Sequence, residues 1–161
     1  LQAARQAANY HILIIHADAD HRTADRALKE RFYPGHSLVQ QSAEDVCRCV
    51  LPIVPIQTTE AWMLADPKAL KAALGTSPKA LNLGLPSKAK LVETDSNPKQ
   101  TLKMIIGKAN IHRPRHRHIE LNSLYAILGR TIDLSLLRNV PAYQRFGDDL
   151  ESTFKAINLI D

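Results

Sequence analysis

The chain has 161 residues, 45% of them hydrophobic, enough for one globular domain with a real core. Its formal net charge of +5 suits an anionic partner, nucleic acid first, while an aromatic content of 5% argues against a base-stacking platform for single strands. No apolar stretch approaches the twenty or so residues that cross a bilayer, and no charged-then-apolar leader is present, so a cytoplasmic protein with no membrane partner is expected.

In chain order, residues 1–9 read as the end of a helix that feeds a strand at 10–17. The run Ile12-Leu13-Ile14-Ile15 is short, apolar and bounded by polar residues, the pattern of a strand covered on both faces in a parallel α/β sheet. It ends in Asp18-Ala19-Asp20, and ligand sites in such sheets lie beyond the strands' carboxyl ends. Side chains two apart in an extended chain point the same way, with Cα atoms about 6.5 Å apart. Asp18 and Asp20 can therefore face one cation, and Mg²⁺ is usually held by one or two carboxylates, waters and phosphates. The other reading makes the pair a cap for the helix that His21-Arg22-Thr23 opens.

A helix is expected over 23–32, stopped by Pro34-Gly35. An extended segment over 46–56 carries Pro52 and Pro55, which places it at a sheet edge. Its Cys47 and Cys49 are too close to bridge each other and too few for zinc, so they read as buried thiols on one strand face in a reducing compartment. Next, Thr58 or Thr59 caps a helix with Glu60 in its first turn, where the helix dipole favours an acid. Glu60 is alternatively a third metal-binding carboxylate, brought near the aspartates because it follows a neighbouring strand.

Asp66-Pro67 restarts a helix that Gly75 ends, and 76–90 reads as a loop, or as a short helix between loops. At Asn97-Pro98-Lys99-Gln100 the spacing is that of a capping box. Lys99 there meets the positive end of the helix dipole and calls for an anionic partner, either a phosphate or Asp95. The tract 112–118 is the most basic, and Arg113, Arg115 and Arg117 suit phosphate-backbone contacts, a solvated loop being the alternative. Interleaved arginines argue against a metal there. The remainder reads as helical: one helix over 121–128 ended by Gly129, one capped by Asp133, and one from Asp148 or Asp149 to about Ile160. Leu121, Leu124, Tyr125 and Leu128 recur at helical spacing and read as core.

Taken together, the strand ending in Ala17-Asp18-Ala19-Asp20, the segment Thr59-Glu60-Ala61-Trp62-Met63-Leu64-Ala65-Asp66, the Asn97-Pro98-Lys99 helix start and the tail from Ile132-Asp133-Leu134 to Phe146 resemble the bacterial family known as domain of unknown function 4276. That family is regarded as related to the TOPRIM fold of topoisomerases, primases and overcoming-lysogenization-defect nucleases. The resemblance implies a single α/β domain over 1–161, with a Rossmann-like, mainly parallel sheet and a helical C-terminal part at 119–161. It further implies Mg²⁺ or Mn²⁺ on the Asp-x-Asp motif, here Asp18 and Asp20, and phosphodiester chemistry on nucleic acid. Glu60 is a looser match to an added acidic ligand, Lys99 to a residue assisting at phosphate, and Arg22 stands beside the motif as a further nucleic-acid contact. Phage defence beside an ATPase partner is the setting implied. TOPRIM enzymes also carry a glutamate at the end of an earlier strand, whereas none of residues 1–9 is acidic: either the chain is a fragment and that strand lies upstream of Leu1, or it is complete and the resemblance does not extend to catalysis. His21 stands where those sequences often have glycine or another small residue. The rival expectation is a non-catalytic nucleic-acid or protein-binding module in which the arginines matter and the aspartates only cap.

Overall fold

Four residues of the Ile-rich run form β1 (Leu13–His16), and the proline-bearing segment supplies β2 (Val50–Ile53), parallel to it with Leu13 opposite Val50 and His16 opposite Ile53. The computed structural model describes residues 1–76, 83–86, 88–111 and 118–161, and among these the two strands make up the whole sheet. Pairing runs on past both strands: Ala17 N–H donates to the Ile53 carbonyl at 3.1 Å and Ala19 N–H to that of Pro55 at 2.9 Å. Odd-numbered carbonyls of this stretch thus face β1, and Pro52 turns its nitrogen the other way, where a missing N–H costs the ladder nothing. The fold is mixed α/β, 57% helical, with this small parallel sheet.

Two compact units make up the chain, one of residues 1–56 and 142–161, the other of residues 57–141. In the first, α1 (Gln2–Gln6) precedes β1, and parallel strands then require a crossover. It is built from α2 (Asp25–Ala27), a π-helical turn at Leu28–Phe32 and α3 (Tyr33–Gln41) in direct succession. The stop expected at Pro34-Gly35 is therefore absent. A proline ring clashes with the carbonyl four residues back, and the widened turn ahead of Pro34 is where the helix absorbs that conflict. α3 ends instead at Ser42, where the Arg48 guanidinium donates to the carbonyls of Val39, Gln40 and Ser42 at 3.4, 3.0 and 2.8 Å. A cation at this end also suits the helix dipole. Ala4, Val39 and Val46 form a buried cluster in this unit, and Leu13 and Val50 pack on it. Cys47 is buried and Cys49 partly so, both free thiols just ahead of β2.

The second unit is helical in its described residues: α4 (Glu60–Met63), α5 (Pro67–Ala73), a 3₁₀ turn (Ala89–Thr94), α6 (Pro98–Ile111), α7 (Leu121–Thr131) and α8 (Leu134–Leu137). α5 packs on α7, α4 on α6 and on the 3₁₀ turn, and α6 on α7. Leu64, Leu70, Val92, Leu102, Leu124 and Leu128 are all fully buried between them. Local chemistry sets most of the boundaries. Asp66 Oδ1 accepts from the N–H groups of Lys68 and Ala69 at the start of α5, and Gly75, at φ +59°, follows its end. Asn97 Oδ1 accepts from Gln100 N–H at 3.2 Å, but the reciprocal bond of the expected capping box belongs to Asp95, which takes Asn97 N–H at 2.8 Å and the Thr101 hydroxyl at 2.6 Å. α7 passes through Gly129 rather than stopping, since burial of Leu124 and Leu128 outweighs the ~1 kcal/mol that a helical glycine costs.

α9 (Pro141–Ala156) begins well before the expected Asp148, with proline at the first position, where its missing N–H is harmless. It returns the chain to the first unit, and its Ala142 and Phe146 join Ala24, Leu28, Pro52 and Val54 around a cavity of about 40 Å³. No described helix is long and apolar enough to cross a membrane.

Candidate functional site

Asp18 and Asp20 sit where the extended chain leaves β1. Ala19 is still paired to the β2 exit, and Asp20 then turns away in the left-handed region at φ +50°, which aspartate tolerates better than most residues. His16 and Asp18, two apart on the strand, lie side by side, with His16 Nε2 at 3.3 Å from Asp18 Oδ1. Asp20 has a different neighbour. Arg31, in the π-helical turn, donates from Nη2 to Asp20 Oδ2 at 2.9 Å and from Nη1 to the Asp18 carbonyl at 2.7 Å. The helix that follows starts only at Asp25, with Ala24 at its N-cap and no side-chain cap. His21 and Arg22 are exposed in the intervening turn.

Two carboxylates and no thiol form a hard donor set, which fits Mg²⁺ or Mn²⁺ in kind. Among the described residues, no three His, Cys, Asp or Glu side chains gather as a metal-holding group. A cation at the pair would thus draw its remaining oxygens from water or phosphate, and it would meet Arg31 at Asp20.

Glu60, in the second unit, has partners of its own. It opens α4 with only 6% of its surface exposed, Tyr125 Oη donates to its Oε1 at 2.5 Å, and Lys99 Nζ lies 3.9 Å from the same oxygen. Lys99 thereby finds its anionic partner in Glu60, while Asp95 is committed to Asn97 and Thr101. Burial pushes the Glu60 carboxyl up, but the hydrogen bond from Tyr125 and the charge of Lys99 are among the contributions that outweigh it and hold the group below the usual glutamate range. Thr59 stands at the N-cap of α4 without a side-chain cap bond.

This arrangement has a pH signature. A carboxyl lowered by folding contributes stability that is complete above the unfolded pKa, about 4.3, and is lost as pH falls from there through the lowered folded value. Glu60→Gln removes that contribution, so the stability gap between wild type and variant should be widest near pH 6 and narrow toward pH 3. Urea unfolding followed through Trp62, the chain's one tryptophan, checks it. A gap that does not change with pH contradicts the assignment.

Arg113, Arg115 and Arg117 lie outside the described residues. Of the residues around the aspartates, sequence spacing alone does not single out Arg31. It lies thirteen positions beyond Asp18 and reaches the turn only because the crossover helix returns over the sheet. Tyr125 carries a partial signal, a hydroxyl on an otherwise apolar helical stripe. No family model matches this chain, and neither the curated proteins nor the solved structures yield a match.

Proposed function

We propose that this chain is a TOPRIM-like domain that acts on phosphodiester bonds of nucleic acid with Mg²⁺ or Mn²⁺ held by Asp18 and Asp20. The observation that carries the reading is an Asp-x-Asp pair at the carboxyl end of a parallel strand. A Rossmann-like sheet, to which β1 and β2 would contribute two strands, goes with this reading. So do phage defence and an ATPase partner, both taken from the resemblance.

When bound, the cation would supply neutralisation of phosphoryl oxygens and activation of a water. The chain's own residues do the rest. Asp18 and Asp20 offer hard oxygens, and His16 lies half exposed beside Asp18. Arg22, exposed in the following turn, is free to meet a phosphate, and the net charge of +5 favours retention of a polyanion. Glu60 already neutralises Lys99, so the reading does not need it as a ligand.

Asp18→Asn removes one charged ligand with almost no change in shape. It should lower Mg²⁺-dependent cleavage of plasmid DNA or single-stranded RNA at least about 100-fold while leaving the circular dichroism spectrum unchanged. Wild-type cleavage by the variant, or cleavage that persists in chelator, counts against the proposal. The second reading is a non-catalytic binding module, in which the net charge of +5 retains a polyanion. That reading predicts no cleavage by wild type with any divalent cation, together with steeply salt-dependent nucleic-acid binding that survives Asp18→Asn.

A further inference from the structure

Arg31 occupies an unusual position for a surface arginine, because one guanidinium holds both ends of the Asp18-Ala19-Asp20 segment. Nη1 binds the carbonyl of the first aspartate and Nη2 the carboxylate of the second. The planar fork of donors makes this two-point hold possible. Arg31 comes from the π-helical turn, where the helix register shifts and side chains are re-aimed relative to a regular helix. The left-handed backbone of Asp20 is the part of the segment most in need of an anchor, and the anchor falls on its side chain. Both members of the ion pair are about half exposed, 50% for Arg31 and 58% for Asp20. Pairs of that kind are weak and exchangeable.

We propose that Arg31 is the internal counter-ion of the aspartate turn: it positions Asp18 and Asp20 while no cation is bound and gives up Asp20 to a divalent cation, so that cation affinity is set by competition with the guanidinium. The inference rests on the reading of the aspartate pair as a cation site. Arg31 is a positioning residue here, acting through Asp20 rather than on the substrate. The bond to the Asp18 carbonyl does not involve a carboxylate and so persists during the exchange, which keeps the segment in register when Asp20 changes partner. Arg31 therefore lowers affinity for the cation while preserving the geometry that receives it.

Titration of Mn²⁺ into the full chain at low ionic strength, read by calorimetry and by the electron paramagnetic resonance of free Mn²⁺, separates the possibilities. Arg31→Met removes the competing charge and should tighten Mn²⁺ binding by about three- to tenfold. Arg31→Lys retains the charge and should stay within about twofold of wild type, whereas Asp20→Asn should bind most weakly. A structural role alone would make Arg31→Met bind more weakly or leave it unchanged, and either result overturns the proposal when wild type binds. Absence of Mn²⁺ binding in wild type defeats the underlying cation site, and the proposal with it. Should Arg31→Met fail to fold, wild type suffices: on Mg²⁺ titration the Arg31 guanidinium and Asp20 carboxyl resonances should shift with one midpoint. An Arg31 signal that stays put while Asp20 responds refutes the competition.

Discussion

Asp66→Ala is expected to destabilise the unit of residues 57–141 by about 3 kcal/mol. Asp66 is 5% exposed and uses both carboxyl oxygens. Oδ1 takes the Lys68 and Ala69 N–H groups at 3.0 and 2.9 Å, and Oδ2 takes the N–H of Asp133 at 3.1 Å. Loss of an N-cap alone costs about 1 kcal/mol, and a buried N–H left without an acceptor adds about 1–3 kcal/mol. One side chain thus caps α5 and ties it to the residue that caps α8, since Asp133 in turn accepts from Ser135 N–H at 2.8 Å. Asp66→Asn keeps an oxygen for the α5 donors but sets an amide NH₂ against the Asp133 N–H, so its loss should fall between wild type and alanine. Trp62 lies in the same unit and reports its urea transition. A loss under about 1 kcal/mol would mean that water replaces the carboxylate at little cost.

Leu102→Ala should be of similar or greater size, about 2–5 kcal/mol. Leu102 is fully buried on α6, the helix that packs against both α4 and α7, so the deleted methyl groups leave a cavity bounded by more than one element. Ile111, at the end of the same helix, is 75% exposed and serves as the control. Ile111→Ala should stay within about 0.5 kcal/mol of wild type. Equal losses at the two positions would contradict the burial described here.

What could be read from the sequence follows the range of the interactions involved. Asp66-Pro67, Asn97-Pro98 and Asp133 announce helix starts because a cap binds N–H groups two or three residues away, and the chain itself carries that information. The strand before Asp18 is legible for the same reason, as a short apolar run with a polar end. Pro34 misleads because its local preference is to stop a helix, whereas the crossover between parallel strands has to continue and a widened turn lets it. Gly129 misleads in the same direction, its local cost being small beside the burial of the leucines around it. Partners of the candidate residues are the least legible. Arg31 meets Asp20, and Tyr125 and Lys99 meet Glu60, across sequence separations that only packed helices bridge. Lys99 shows the limit well: its need for an anion is plain from the helix dipole, but the choice of Glu60 over Asp95 depends on how α4 lies against α6.

The first unit is discontinuous in the chain, its strand pair near one end and α9 near the other, with residues 57–141 inserted between them. Were the insert a random coil, bringing α9 back would close a long loop at an entropic cost of about 4 kcal/mol, from the logarithmic dependence on length. A folded insert holds its two ends at a fixed separation and removes most of that cost. The buried leucines that keep residues 57–141 folded therefore bear on how readily α9 rejoins the unit it belongs to.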